Sequence, residues 1–458
     1  MEYEKNMSGG KTMKQRSKKF IYLYGLADGT LAMIPTIYNS YWSLFLTSAA
    51  GLSATGNATV LSIIGIADVL SILLVSFLVQ KCNLKFGKFR FWVLLGGIGA
   101  AVTRVLAFTP LMLGSVAYFA IMAVISSSLY NLAYCAYMGM VPLIADSQED
   151  RMTTVTAQQQ CVAITSIVVS LISVAVIQNV GYWALSAIAA VAIVASVIPM
   201  YFATKDVDVY KPAEKMTQAE KEAQPSVWDM IRLLANVPML MYLLGSICKI
   251  VGSIGLAMLV SYYYTYAYGD MSMLTVYLTL STVLQLVGAS LAPFVNKLVK
   301  GNRNTFAAGM VIYAAFLALA WAFGSHSAIF FTVCLSVGYM GWAITHTADA
   351  AYYSYIGDYV EYKHKKNIQP FLMSMLSMVI KIGIVVSNLV VGWGLVAVGF
   401  DAANVTETAK TGIMNLTVLM PMVIMIIGAV ITLLSPLSDK RVRTIKAELE
   451  KRHAGEQA

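Results

Sequence analysis

Long apolar runs separated by short polar segments recur along the whole chain. A helix needs about 20 mostly apolar residues to cross a bilayer, and each run reaches that length. The predicted spans are residues 20–48, 55–80, 91–113, 115–144, 157–178, 181–203, 237–266, 272–298, 304–323, 328–356, 370–398 and 413–436. The pattern therefore predicts an all-α polytopic membrane protein with twelve transmembrane helices.

Basic residues mark one side of the membrane. With the N-terminus inside, the inner segments are 1–19, 81–90, 145–156, 204–236, 299–303, 357–369 and 437–458, and they hold most of the 32 lysines and arginines. Cytoplasmic loops are typically enriched in these residues, so both termini are predicted in the cytoplasm. Lys410 lies in an outer loop, whereas Arg104, Lys249 and Lys381 lie inside helices.

One inner segment, residues 204–236, is longer than the others and divides the helices into six plus six. Two six-helix halves joined by a long cytoplasmic loop are the layout of the major facilitator fold. The predicted organisation is a cytoplasmic tail at 1–19, a six-helix bundle at 20–203, a central cytoplasmic loop at 204–236, a second bundle at 237–436 and a cytoplasmic tail at 437–458.

Composition supports a membrane location and excludes several function classes. The 458 residues are 58% apolar and only 12% charged, whereas soluble domains carry about 25% charged residues. The net charge of +9 is scattered between apolar runs and forms no stripe, so a nucleic-acid partner is not expected. Because no nucleotide loop, His/Glu metal pair or serine elbow occurs, we expect neither an enzyme nor a resident metal or cofactor. Membrane lipids and a small solute are the expected partners of a monomer.

Several ionisable residues lie inside the predicted spans, where a charge costs roughly 2.5–3.5 kcal/mol near the bilayer centre. They are Asp28, Asp68, Arg104, Lys249, Asp349 and Lys381, with His346 one helical turn before Asp349. Such charges can bind a cation and exchange partners during transport. They can also form static ion pairs, and Arg104 or Lys249 could instead extend to the membrane surface.

Charged residues at the inner helix ends could close the cytoplasmic side by pairing across the two halves. The candidates for this gate are Lys88, Arg90, Asp146, Arg151, Arg303, Asp358 and Glu361. An ordinary solvated rim is the alternative. Among aromatic residues, the run 262–264 is typical of an interfacial belt, whereas Trp342 and Tyr134 lie deeper and are cavity candidates.

Six short stretches together resemble the glycoside–pentoside–hexuronide:cation symporters, within the major facilitator superfamily. They are Gly25-Leu26-Ala27-Asp28, Gly65-Ile66-Ala67-Asp68, Lys85-Phe86-Gly87-Lys88-Phe89-Arg90, Gly357-Asp358-Tyr359-Val360-Glu361-Tyr362-Lys363, Lys381-Ile382-Gly383 and Ser435-Pro436-Leu437-Ser438-Asp439-Lys440. The resemblance implies cation-coupled uptake of a sugar, glycoside or uronide by alternating access. It also implies that Asp68 and Asn131 contact the cation and that Lys381 links the cation and sugar sites.

Departures from the melibiose branch of that family change the expectations. A second helix 2 acid is replaced by Ile72, and one carboxylate with Asn131 and Ser71 is a poor cage for Na⁺, since hard cations prefer several oxygens. Proton coupling is therefore favoured over Na⁺ coupling. The sugar-binding charges of that branch fall on Ala32, Tyr134 and Gln159, so its galactoside contacts do not carry over.

An altered substrate pocket is expected instead. Its candidate residues are Asp28, Asn39, Arg104, Tyr134, Gln159, Trp342, His346 and Asp349. Basic residues and His346 point weakly to an anionic sugar such as a uronide. A lipid, steroid or other amphiphile is the alternative cargo, because the 26 methionines could adapt to irregular apolar ligands. No repeated filter-like segment indicates a channel.

Overall fold

The computed structural model describes residues 17–81, 86–144, 148–208, 236–324, 327–364 and 369–456. These residues form helices of which twelve are long and apolar enough to cross a membrane. The helices of the N-terminal half are α1 (Lys18–Ser48), α2 (Ala54–Lys81), α3 (Arg90–Ala107), α4 (Val116–Ile144), α5 (Gln148–Asn179) and α6 (Tyr182–Ala203). The predicted all-α architecture with twelve spanning helices is confirmed.

The C-terminal half repeats this arrangement and adds one helix. Its elements are α7 (Val237–Tyr262), a π-helical continuation (Tyr263–Tyr268), α8 (Ser272–Val299), α9 (Asn302–Phe323), α10 (Ala328–His364), α11 (Gln369–Ala397), α12 (Glu407–Leu434) and α13 (Asp439–Glu456). The π-helix ends at Gly269, whose φ of 86° lies in the left-handed region that glycine adopts without strain.

Four helix boundaries differ from the sequence expectation for identifiable reasons. Helix α3 ends at Ala107 rather than near 113, since the residue before Pro110 is biased away from helical geometry. Helix α5 starts at Gln148, nine residues early, because its first turns are polar and apolar content does not reveal them. Helices α10 and α12 likewise extend beyond their apolar runs, to His364 and back to Glu407.

The C-terminal segment, expected as a tail, contains helix α13 packed on helix α10. Val442, Ile445 and Leu449 are buried along one side of α13. The Nζ atom of Lys446, on the same helix, lies 3.4 Å from a carboxylate oxygen of Asp358 on α10. This amphipathic helix belongs to the C-terminal half. The central loop prediction, by contrast, falls largely on residues 209–235, outside the described chain.

The two halves meet where α1 contacts α7, α2 contacts α11 and α5 contacts α8. Small residues allow close approach at these crossings, as is common between membrane helices. A Cβ added to Gly65 would lie 3.2–3.6 Å from atoms of Val385, and one added to Gly392 would lie 2.8 Å from the Cα of Ala58. Helices α2 and α11 are therefore in direct contact over the part that the charge pattern predicts to be outside.

A second contact between the halves centres on Tyr262. Its hydroxyl donates to the backbone carbonyl of Ser43 at 2.6 Å and lies 2.9 Å from the Ser43 hydroxyl and 3.0 Å from the Thr47 hydroxyl. Tyr262 is fully buried, as is Tyr264, so this run does not form the interfacial belt expected from the sequence. We call the contact of Tyr262 with Ser43 and Thr47 the tyrosine latch.

Candidate functional site

Four side chains from three helices form one hydrogen-bonded cluster at the junction of the halves. Asp68 and Ser71 lie one turn apart on α2, Asn131 lies on α4, and Lys381 reaches them from α11. The Lys381 Nζ donates to Asp68 Oδ2 at 3.1 Å and to Asn131 Oδ1 at 2.8 Å. These are the four residues that the sequence analysis assigned to the coupling site, and the fold brings them together. We call them the coupling cluster.

The amide of Asn131 organises the coupling cluster. Its nitrogen donates to Asp68 Oδ1 at 3.0 Å and to the Ser71 hydroxyl at 2.8 Å. The Ser71 hydroxyl in turn donates to the backbone carbonyl of Asp68 at 3.0 Å. The Asp68 and Lys381 side chains are only 11% and 16% exposed, so the ion pair is largely desolvated. Because Asp68 belongs to one half and Lys381 to the other, this ion pair joins the two bundles.

A cavity of about 580 Å³ lies between α1 and α5 of one half and α7, α8 and α10 of the other. That volume is in the range of small-molecule binding sites. Its wall consists of hydroxyl, amide, aromatic and aliphatic side chains, and none of these lining residues is Asp, Glu, Lys or Arg. They are Thr36, Asn39, Ser40, Gln159, Val162, Ala163, Ser166, Ser170, Ser253, Ile254, Ala257, Tyr277, Leu278, Ser281, Thr282, Gln285, Leu286, Ala289, Tyr339, Trp342, Ala343, His346 and Thr347.

Four of the eight predicted substrate residues line this cavity: Asn39, Gln159, Trp342 and His346. The rings of Trp342 and His346 are stacked, with centroids 4.9 Å apart and an interplanar angle of 6°. The Trp342 Nε1 is buried and finds no hydrogen-bond acceptor among the described residues. The stacked pair therefore offers a flat apolar surface with a free N–H donor beside it.

Asp349 does not line the cavity, although it lies one turn from His346. Its carboxylate forms an ion pair with Lys249 of α7 and accepts a hydrogen bond from the Tyr242 hydroxyl at 2.5 Å. The Ser246 hydroxyl is a more distant donor at 3.5 Å. This second ion pair joins α7 to α10 within the C-terminal half, and both charges are already satisfied by each other.

Arg104 also lies away from the cavity wall. It is 4% exposed, which excludes the extension to the membrane surface that the sequence left open. Its guanidinium lies over the ring of Tyr38, with 4.9 Å between the guanidinium carbon and the ring centroid. Its Nε and Nη1 atoms have no hydrogen-bond acceptor in the described part of the chain.

Asp28 and Tyr134 complete the predicted set and likewise do not line the cavity. Asp28 is 4% exposed, whereas Tyr134 is 39% exposed and stacks on Tyr130 with ring centroids 5.8 Å apart. The two residues lie on neighbouring helices, α1 and α4, of the same half.

The predicted cytoplasmic gate is seen only in part. Asp146 lies outside the described residues, and the side chains of Arg151 and Glu361 are not described. Arg303 donates to the backbone carbonyl of Ser435 at 2.8 Å, and Asp358 faces Lys446, so both contacts stay within the C-terminal half.

The two basic gate candidates of the N-terminal half, Lys88 and Arg90, have a local role. Their backbone N–H groups, with that of Phe89, donate to the carboxylate of Asp208 at 2.7–3.0 Å. Asp208 thereby caps the start of α3, where unpaired N–H groups favour an anion. The Arg90 guanidinium lies over the ring of Tyr201, again within the same half.

Sequence reasoning missed the aromatic wall contributed by Tyr277 and Tyr339. A signal was available, since Tyr339, Trp342 and His346 recur at spacings of three and four along α10 and so share one helix face. Gln285 of α8 adds an amide to the wall, and only the packing of the two halves places it there.

Comparisons with known proteins agree with this architecture. Residues 23–439 match the model of the family described as MFS/sugar transport protein. The chain is 22% identical over 425 residues to the glucuronide carrier protein homolog of Escherichia coli (strain K12), covering 89% of this chain and 90% of that protein. It is 23% identical to the isoprimeverose transporter of Lactiplantibacillus pentosus, covering 98% and 94%.

Solved structures share the fold at low sequence identity. A bacterial homologue of the human lysosomal transporter Spinster, in an inward-facing unoccupied conformation, superposes with a TM-score of 0.68 at 13% identity over 94% of this chain and 99% of that chain. The nucleoside transporter NupG superposes with a TM-score of 0.62 at 14% identity over 91% and 99%.

Proposed function

Because this chain belongs to the MFS/sugar transport protein family, a family of transporters rather than enzymes, we propose that it couples the inward flow of a cation to uptake of an uncharged sugar or glycoside. The single observation that carries the proposal is the ion pair between Asp68 and Lys381, which spans the two halves. The resemblance to glycoside–pentoside–hexuronide:cation symporters is confirmed at the level of this family.

The lysine ammonium of the coupling cluster acts as a tethered substitute for the transported cation. While Lys381 neutralises Asp68, the halves are held together at this point. A cation that binds Asp68 removes the reason for Lys381 to stay, since a buried ion pair loses its attraction when one charge is cancelled. Cation binding therefore loosens the contact between the bundles, which is how the movement of cation and of bundles become linked.

Hydrogen-bond directions within the coupling cluster favour H⁺ over Na⁺. The Asn131 amide nitrogen already occupies Asp68 Oδ1 and the Ser71 hydroxyl oxygen, and a donor on an oxygen repels a metal cation there. Only Asp68 Oδ2 and Asn131 Oδ1 remain, where Lys381 donates. Two oxygens are too few for a hard metal cation, whereas a proton needs one carboxylate oxygen.

The chemistry of the cavity supports an uncharged substrate. Sugar hydroxyls can bond to the amides of Asn39, Gln159 and Gln285, while a sugar ring can lie on the Trp342–His346 stack. A uronide carboxylate would need a basic partner, and Lys249 and Arg104 do not line the wall. No methionine lines it either, so the composition argument for an amphiphilic cargo has no counterpart in the cavity.

Alternating access follows from the closed and open ends of the bundles. Contacts at the tyrosine latch and between Gly65 and Val385 hold the predicted outer ends together. Near the predicted inner ends, the described contacts of Arg303 and Asp358 stay within one half. We therefore interpret the structure as open towards the cytoplasm, with both termini on that side of the inner membrane.

A gradient-resolved uptake screen tests the proposal. Proteoliposomes containing the full chain are offered neutral glycosides, uronides and amphiphiles, with a pH gradient and a Na⁺ gradient imposed separately. The expected result is uphill accumulation of a neutral glycoside driven by the pH gradient alone, lost in Asp68→Asn. Accumulation driven only by Na⁺ would refute proton coupling, and uptake restricted to uronides or amphiphiles would refute the substrate class.

A further inference from the structure

The membrane-embedded acids differ in how they are neutralised. In the described spans, Asp68 is paired with Lys381 and Asp349 with Lys249. Asp28 has no basic partner there and no hydrogen-bond donor, although it is only 4% exposed. It is therefore the one carboxylate of these three whose charge the described structure leaves uncompensated.

The surroundings of Asp28 offer no positive charge. The ionisable groups within electrostatic range of its carboxylate are Tyr24, Tyr130, Tyr134, Tyr137 and Cys161. All five side chains are neutral at neutral pH. On the α5 side the backbone closes the space, since a Cβ on the adjacent Gly29 would lie 2.8 Å from the carbonyl oxygen of Cys161.

Two of the neighbouring tyrosines use their hydroxyl protons on each other's backbone. Tyr24 donates to the carbonyl of Tyr137 at 2.5 Å, and Tyr137 donates to the carbonyl of Tyr24 at 2.8 Å. Neither hydroxyl proton is therefore available to Asp28. Tyr134, which is 39% exposed, provides the route from this region to open space.

An isolated buried carboxylate is stable only when it is neutral, because transfer of its charge from water to a low-dielectric interior is far more costly than binding a proton. A metal cation would need several oxygen ligands, and the two tyrosine hydroxyls nearest in sequence and fold already serve backbone carbonyls. Proton binding is the remaining way to neutralise Asp28.

We propose that Asp28 is a second proton-binding site of this protein, separate from the coupling cluster and reached past the exposed side of Tyr134. The site lies on the same face of α1 as the cavity residue Asn39, because eleven residues correspond to about three turns. It is about 16 Å further along the helix towards the predicted cytoplasmic end. A proton held there occupies the inner approach to the cavity.

Infrared spectroscopy of the purified full chain tests this directly. At neutral pH the wild-type protein should show the carbonyl stretch of a protonated buried carboxyl group, and raising the pH should remove it. The band should be lost in Asp28→Asn but kept in Asp68→Asn and in Asp270→Asn, a change at an exposed loop carboxylate. Asp28→Glu, which keeps the carboxyl group, should retain a band at a shifted frequency and guards against misfolding of the Asn variant.

Two outcomes would overturn the proposal: absence of a protonated-carboxyl band in the wild type at neutral pH, or its persistence in Asp28→Asn. The measurement uses neither a substrate nor an ion gradient. A failure of the uptake screen would therefore leave this result untouched, and a negative infrared result would leave the proposed symport standing on Asp68.

Discussion

Replacing Lys381 by methionine isolates the ion pair across the halves, because methionine keeps the length and apolar character of the side chain but removes its charge. The change leaves Asp68 with only the Asn131 amide as partner. Removal of one member of a buried pair costs about 3–5 kcal/mol. Since the two side chains are still 16% and 11% exposed, we expect a loss near the lower limit, about 3 kcal/mol.

A double-mutant cycle separates the pair from other effects of the substitution. Asp68→Asn combined with Lys381→Met removes both charges, so the double variant should be about 2 kcal/mol more stable than Lys381→Met alone, within the range measured for contacting residues. Unfolding in detergent measures all three variants. The control is Lys410→Met, an exposed lysine paired with Glu407 at the surface, which should change stability by less than about 0.5 kcal/mol.

The transport result should follow the same logic. Without Lys381 the proton bound by Asp68 has no competitor, so the protein should exchange substrate across the bilayer but should no longer accumulate it against a gradient. Counterflow and pH-driven uptake in proteoliposomes distinguish the two activities. Full uphill accumulation by Lys381→Met, or equal stability of the single and double variants, would refute the reasoning.

Two further changes test the latch and the cavity. Tyr262→Phe should weaken closure of the predicted outer side by about 1–3 kcal/mol, at about 0.5–1.5 kcal/mol for each lost hydrogen bond; faster thiol labelling of an outer cavity position checks it, and Tyr264→Phe, whose hydroxyl bonds within one half, should have no such effect. Trp342→Ala should weaken substrate binding at least tenfold by removing the surface stacked on His346, measured by equilibrium binding; an equal loss in Trp321→Ala, on the exposed outside of α9, would contradict a specific role.

Much of the fold could be predicted because lipid imposes a length and a composition on each spanning helix. The misplaced boundaries are those at which composition changes and the helix does not. Residues 148–156 are polar yet helical, and α13 is amphipathic, with Val442, Ile445 and Leu449 spaced for one buried side. Neither segment is apolar enough to be found by hydropathy, although the spacing in α13 was readable.

The coupling cluster was predictable because the resemblance carried Asp68, Asn131 and Lys381 together, and Ser71 follows one turn after Asp68. The pairing of Asp349 with Lys249 was not, since it depends on how α7 packs against α10 and no local pattern encodes that contact. The same limit applies to the cavity. A sequence shows which charges lie in the membrane, but only the packing shows which of them face a partner, a cavity or neither.

Reversible cross-linking of α2 to α11 is the most direct test of the claim that the halves must part at their shared ion pair. Gly65 and Val385 lie about one turn from Asp68 and Lys381, and a Cβ on Gly65 would lie 3.6 Å from the Cβ of Val385, a separation suited to a disulfide. The measurement is uptake by Gly65→Cys/Val385→Cys in a chain whose five native cysteines are replaced. The account predicts no transport when the pair is oxidised and recovery on reduction, whereas undiminished transport by the cross-linked protein would contradict it.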